Sequence, residues 1–375
     1  MTALSSAVVV GGGIVGLVSA RALALKGIRV VLLERKSVIT DEGGIGIGLQ
    51  SNAMNALAEI GLAHRCLDKG IPVETITVCA PDGSALFSRP TERYCHSPWP
   101  GYTGVSRAAL HAVLVEGAAQ AGAELVTDAE VVDIAQDAKG ASAVLSDGRR
   151  FSADLLVGAD GIHSHVRSIV VPDRTELVPL GEGVWRALIK GVQLHDVCMM
   201  FGGPVGTIGY CPLRGDTYLY VVDQNTHAPA RDDPALAARL VERIGGVRGF
   251  PARLLAHLSH RSGDVTYRPL AVVRLRAPWY SGRVIMIGDA AHAGPPTLAQ
   301  GAAMGIEDAV VLAQCVVQSD GLTGSLETFM RRRYERVRTI VEASVSISRA
   351  QMEAGGERRM AEAQKAAGLT LAQPY

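Results

Sequence analysis

Three short segments place glycines and carboxylates where a nucleotide could be held. The first is Gly11-Gly12-Gly13-Ile14-Val15-Gly16, set between the apolar run Ala7–Val10 and a stretch of helical spacing that ends near Gly27. Glycines in a G-x-G-x-x-G turn let the backbone bend sharply and approach a pyrophosphate, which then rests on a helix N-terminus. Glu34 ends the next strand, 28–34, and can accept from a ribose hydroxyl, which argues against a 2′-phosphate. This segment alone leaves FAD and NAD open. The second is Asp154-Leu155-Leu156-Val157-Gly158-Ala159-Asp160-Gly161, followed by Ser164 and Val166-Arg167. The third is Gly288-Asp289-Ala290-Ala291-His292, followed by Pro295-Pro296 and Gln300-Gly301. An Asp just after an apolar strand can hold a polyol hydroxyl. Free amides at Gln300-Gly301-Ala302 can face developing negative charge.

These segments need a scaffold, and periodicity supplies one. Strand, helix and strand over residues 7–34 form a βαβ start. Helices are expected over 50–62, 107–121, 234–244, 251–257, 300–317 and 326–352. Asp82-Gly83 marks a hairpin between strands 73–79 and 85–88. Strands 130–135, 141–145 and 151–157 precede a meander over 184–190, 197–201, 206–210 and 217–222. The expected class is α/β: a Rossmann-type nucleotide domain over 1–176, with an inserted substrate-facing segment near 70–105. A sheet domain over 177–275 follows. The nucleotide domain resumes over 276–353 with a long C-terminal helix, and 354–375 is expected as a loosely attached tail.

With three motifs in this order and spacing, the chain resembles the flavoprotein monooxygenases that hydroxylate aromatic rings, the group of para-hydroxybenzoate and salicylate hydroxylases. The resemblance runs to about residue 345. It implies a GR2-like FAD-binding domain interleaved with a mixed-sheet substrate domain. It gives the ADP half of FAD to Gly11, Gly13, Gly16 and Glu34, the second segment to Asp160 and Gly161, and the ribityl chain to Asp289. Arg107 matches the family arginine near pyrophosphate and ribityl. Ile14, Val15, Arg35, Gly48, Val131, Gly288, Pro296, Gly301 and Ala302 complete the expected cofactor set. The sequence departs from the family at Ser51, where proline is common, and at Ala299 and Ala302-Ala303, which replace the usual Gly and Asn.

The implied reaction takes hydride from NADH or NADPH to tightly but non-covalently bound FAD, forms a flavin C4a-hydroperoxide with O2, and transfers one oxygen to a small aromatic or heteroaromatic substrate. Candidate catalytic residues are Arg186, Tyr210 and His292. Candidate substrate neighbours are Ile47, Trp185, Tyr218, Tyr220 and Pro295. Each tyrosine reads first as sheet packing, Arg186 equally as a surface cation, and His292 as a residue that orients its loop. Epoxidation, N-hydroxylation and Baeyer–Villiger oxidation on the same fold stay open, as does a flavin-binding protein without turnover.

Composition excludes other classes. Lys+Arg and Asp+Glu are equal at 37, which leaves no electrostatic footprint for nucleic acid. No apolar run of membrane-spanning length is read, so no membrane is expected. Six scattered cysteines without a Cys-x-x-Cys pair fit reduced thiols, a cytoplasmic setting and no metal. The run Arg331-Arg332-Arg333 is expected on a solvated helix face. Monomer and homodimer both remain open.

Overall fold

The computed structural model describes residues 4–40, 45–80, 82–201, 205–224, 229–230, 233–245, 247, 254, 257–258, 265–318, 321–353 and 355–375. Its first layer is a six-stranded sheet in the order Tyr280–Ser281, Val284–Met286, Leu155–Gly158, Ser6–Val10, Arg29–Leu33, Glu124–Val126. All neighbours are parallel except the Tyr280–Ser281 edge. The central strands are runs of Val, Leu and Ile buried on both faces, the pattern of a parallel sheet covered by helices. Helices Ile14–Ala24, Arg107–Gln120 and Gly301–Gln318 cover it with continuous apolar surface.

The expected strand over 151–157 is two strands. Arg150–Ala153 belongs to an antiparallel three-stranded sheet, and Leu155–Gly158 to the parallel one. The break is at Asp154, whose carboxylate accepts from the Ser5 and Ser6 amides at 2.9 and 3.0 Å. These bonds pull the backbone out of one ladder and into the other.

The second layer is a seven-stranded sheet in the order Val265–Leu275, Thr175–Lys190, Asp216–Gln224, Thr207–Pro212, Val197–Phe201, Thr75–Cys79, Ala85–Pro90. The hairpin at 75–90 therefore joins this sheet, and Val197–Phe201 pairs with Thr75–Cys79 in parallel. A small sheet of Gly46–Gln50, Tyr102–Ser106 and Gly70–Val73 lies between the layers. Apart from residues 254 and 257, the helix expected over 251–257 lies outside the described residues.

Two expectations about the C-terminal third are corrected. The tail forms a helix, Glu357–Leu371, packed on the 30-residue helix Leu322–Gln351. It is tied down by Arg336, which donates to the carbonyls of Thr370 and Gln373, and by Tyr375, whose hydroxyl donates to Glu59 at 2.5 Å. Arg333 is not on a solvated face: its side chain is fully buried. A triple arginine has the composition of a solvated face, but helical rotation turns the third residue inward, toward carboxylates. The helix Gly301–Gln318 is also long and apolar enough to cross a membrane by length and composition, with mean hydropathy 1.2; 72% of it is buried inside the protein, as a core helix is.

Candidate flavin and substrate site

The dinucleotide turn has the geometry its glycines predict. Gly11 adopts φ +108°, and a Cβ there would stand 2.6 Å from the Ala159 carbonyl oxygen. A Cβ at Gly16 would stand 1.9 Å from the Gly11 carbonyl. The first helical bond runs from the Leu17 amide to Gly13, and no side chain caps this helix. The amides of Ile14, Val15 and Gly16 thus have no intrahelical acceptor, and a Cβ at Gly13 would meet only open space. A cradle of free donors with room above it fits a pyrophosphate. Glu34 Oε2 accepts from the Gly12 amide at 2.7 Å and Oε1 from the Lys36 amide, so its carboxylate is fixed beside the turn. Arg35 is exposed next to it. His111, which the sequence reading passed over, is buried with Nε2 2.8 Å from the Gly12 carbonyl.

The two Asp segments have different jobs. Asp160 accepts from the Ser164 hydroxyl at 2.5 Å and from the amides of His165 and Val166, capping the helix His165–Val170. Gly161 follows at φ +83°. Asp289, by contrast, is exposed at the start of its helix and makes no hydrogen bond or ion pair among the described residues, so its carboxylate is available to a hydroxylated chain. Arg167, buried, ties the segments together: it donates to the carbonyls of Ile162 and Ala290, both at 2.8 Å. Val131 is buried in the antiparallel sheet opposite Leu145. Val15 lies under the third segment, where a Cβ at Gly288 would stand 2.9 Å from its side chain.

Pro295 is buried and Pro296 exposed, in a turn that leads to Gly301 and Ala302. The first bond of that helix runs from the Met304 amide to Gln300, which leaves the amides of Gly301, Ala302 and Ala303 without helical acceptors. The turn is held from below. Asn52 donates to Gln300 at 3.0 Å and to Glu307 at 2.7 Å, and Gln300 donates to Gln50 at 2.8 Å. Arg333 bridges Glu307 at 2.6 Å and Asp308 at 2.7 Å. Burial alone would raise the Asp308 carboxyl, but His292 and Arg333 outweigh it and hold it at about 2. His292 is thus committed: its Nε2 sits 2.6 Å from Asp308, which also accepts from the Gly288 amide at 3.1 Å. That places His292 as an anchor of the Gly288-Asp289 turn and corrects its candidacy as a catalytic base. Charged residues inside an apolar helix, Glu307-Asp308, were the sequence signal for this network.

The large sheet divides the remaining candidates by face. Strand register pairs Arg186 with Tyr220 and Leu188 with Tyr218, so Arg186, Tyr218 and Tyr220 share one face. The Tyr218 and Tyr220 rings lie 5.8 Å apart, and Arg186 hydrogen-bonds Tyr218. Across from them runs the small sheet. In it, a Cβ at Gly46 would stand 2.6 Å from the Tyr218 ring and one at Gly48 1.9 Å from the Tyr102 hydroxyl; within the large sheet, one at Gly209, on the strand beside Tyr220, would stand 2.3 Å from the Tyr220 ring. Missing side chains make the room that the rings fill. Tyr102 was missed because nothing in its own neighbourhood marks it. Ile47 is half-buried beside Gly48, and Arg107 begins the next helix close enough to act on Tyr218. Burial raises all three tyrosine hydroxyls, against which Arg186 works at Tyr218.

Trp185 and Tyr210 face the other way. Trp185 stacks edge-on with Tyr267 at 4.8 Å and donates to Asp223, while Tyr210 donates to Asp196 at 3.1 Å. Both belong to the core under the helix Leu236–Ile244. The structure therefore separates them from Arg186, Tyr218 and Tyr220, because adjacent strand residues point to opposite faces.

Residues 5–344 match the family model described as FAD binding domain. The chain belongs to the FAD-dependent monooxygenase family. It is 33% identical over 359 residues to the putative FAD-dependent monooxygenase YetM of Bacillus subtilis (strain 168), covering 94% of this chain and 96% of that protein. It is 33% identical over 347 residues to the 2-heptyl-3-hydroxy-4(1H)-quinolone synthase of Pseudomonas aeruginosa, covering 90% and 87%. In fold it is similar to HpxO of Klebsiella pneumoniae complexed with FAD and uric acid, with a TM-score of 0.85, 22% identity, and 98% and 96% of the two chains covered.

Proposed function

We propose that this monooxygenase uses NADH or NADPH and O2 to hydroxylate a small aromatic or heteroaromatic substrate. The observation that carries the reading is the cluster of Arg186, Tyr218 and Tyr220 on the large-sheet face opposite Gly46–Gln50, with Tyr102 reaching it from the small sheet. Bound FAD, once reduced, supplies the activation of O2. The dinucleotide turn would hold its phosphates, Asp289 its ribityl chain, and the amides at Gly301–Ala303 the edge that becomes negative on reduction.

The protein's own side chains do the rest. Arg186 offers a planar, permanently charged fork to an anionic group on the substrate. The tyrosines keep their protons at neutral pH, since burial raises each of them. They therefore donate to a ring oxygen and stabilise its developing negative charge instead of removing its proton. Aromatic walls bury the ring and exclude water from the reacting face. A cytoplasmic setting is supported by six free thiols. The test is labelled oxygen: with an accepted substrate, NAD(P)H oxidation accelerates and one atom from 18O2 enters the product. Label found only in peroxide or water, for every ligand that stimulates oxidation, would sink the reading.

A further inference from the structure

A cavity of about 440 Å³ lies away from the tyrosine cluster, between the C-terminal end of strand Val265–Leu275, the Asp289–His292 helix and the long helix Leu322–Gln351. Its floor is aromatic. Trp279, 2% exposed, stands 5.1 Å from the His292 ring and 5.9 Å from that of Tyr334. Val337, Val341 and Val345 recur every four residues along the long helix and form an apolar wall. The rim is cationic: Arg274, Arg276, Arg338, Arg349 and Arg359 line the cavity against one carboxylate, Glu342.

The cations are not all spent. Arg338 pairs with Glu335 and Glu342, Arg359 pairs with Glu353, and Arg349 lies near the buried Glu182. Among the described residues, the Arg276 side chain donates only to the carbonyl of Asp173. Arg274 is exposed, stands across the strand pair from Glu176 and makes no ion pair among the described residues. Two arginines with no carboxylate partner among the described residues thus line an apolar pocket whose volume falls within the roughly 300–1,000 Å³ range of small-molecule sites.

We propose that this cavity binds an amphipathic organic anion, its carboxylate or sulfonate held by Arg274 and Arg276 and its apolar body lying on Trp279 and the valine wall. The inner wall includes Ala291 and His292, so the occupant rests against the helix that presents Asp289. The site is separate from the proposed aromatic-substrate chamber.

The probe is decanoate, titrated by calorimetry into the full, FAD-loaded chain, with decanol as its uncharged counterpart; no turnover is needed, so failure here is distinct from failure of the hydroxylase reading. Decanoate should bind saturably, and decanol at least about tenfold more weakly, as expected when a charge-assisted bond is lost. Arg274→Gln should weaken decanoate by about tenfold. Ser346→Trp, which fills the cavity from its half-buried side, should abolish binding. Its melting temperature and flavin spectrum report whether the fold survives, and Arg274→Gln on the exposed rim keeps the test if it does not. Absence of saturable binding, equal binding of decanol, or binding unchanged in Arg274→Gln would overturn the proposal. So would sedimentation showing a dimer whose formation excludes decanoate.

Discussion

The two faces of the seven-stranded sheet are made from the same strands and serve opposite ends. One face carries Arg186, Tyr218 and Tyr220, half-buried, with Gly46 of the small sheet leaving room for the Tyr218 ring and Gly209 of the neighbouring strand for the Tyr220 ring. The other carries Trp185, Tyr210 and Tyr267, sealed beneath the helix Leu236–Ile244 with their polar atoms satisfied by Asp223, Asp196 and neighbours. Trp185 and Arg186 are adjacent in sequence, yet one is sealed in the core and the other stands half-buried in the tyrosine cluster. Aromatic composition alone does not separate the two faces. What separates them is that the open face is set against glycines, Gly46 across from Tyr218 and Gly209 beside Tyr220.

The largest expected effect is on the sealed face. Trp185→Ala should cost about 3–5 kcal/mol of stability, the range for removing a buried aromatic ring. Thermal and denaturant unfolding would measure it. The folded fraction should retain its FAD and its affinity for substrate. Lost ligand affinity in well-folded protein would mean that Trp185 belongs to the chamber after all.

On the open face the pattern should reverse. Arg186→Met should leave the melting temperature nearly unchanged and weaken an anionic aromatic ligand by about 1.5–3 kcal/mol, the value of a hydrogen bond to a charged group. Ligand-induced changes in the flavin spectrum give the dissociation constant. An unaltered constant would return Arg186 to the role of a surface cation.

The network beneath the Gly288-Asp289 turn provides an interior standard for both faces. Asp308 is held at about 2, below its ordinary 3.8, by His292 and Arg333 against the cost of its burial. A lowered folded-state value means that its stabilising contribution is complete above about pH 4 and disappears as pH falls toward 2. The contribution is on the order of 2 kcal/mol. Unfolding free energies measured between pH 5 and 2 should show this limb, and Asp308→Asn should remove its share of the slope. An identical slope in the variant would place the acid sensitivity elsewhere.

The smallest effect concerns the helix start at Gly301. Ala302→Asp sets a negative charge among amides that lack helical acceptors, and should make flavin reduction less favourable by about 0.3–2 kcal/mol. At about 1.4 kcal/mol per tenfold, reduction by NAD(P)H should slow by up to roughly thirtyfold. FAD affinity should fall less, because the oxidised ring is neutral at that edge. A normal reduction potential in a folded, FAD-loaded variant would show that this helix start does not face the flavin.

How much was legible before the fold was known differs by segment. The Gly11–Gly16 turn was readable because its requirement is local: a positive φ and close backbone approach can be met by glycine alone, and Glu34 sits at a fixed distance down the chain. Asp160 and Asp289 stand in equivalent strand-end positions and looked alike. Their difference, one a helix cap and one free, depends on Ser164 and on what lies above each turn. Trp185 and Arg186 both stood as site candidates, although neighbours on a strand point to opposite faces, and only the packed sheets show that Arg186 is the one that faces the small sheet.

The sequence by itself determined the glycine turn, the order of the three motifs and the alternation along each strand, since these follow from steric rules acting over a few residues. Tertiary structure alone decided that Tyr102 joins Tyr218 and Tyr220, that Arg333 is enclosed by Glu307 and Asp308, and that residues 357–371 dock as a helix. These outcomes join residues that are 25 or more positions apart. Composition cannot reveal them, because a buried arginine and a solvated one are the same letter until a partner carboxylate arrives from another helix.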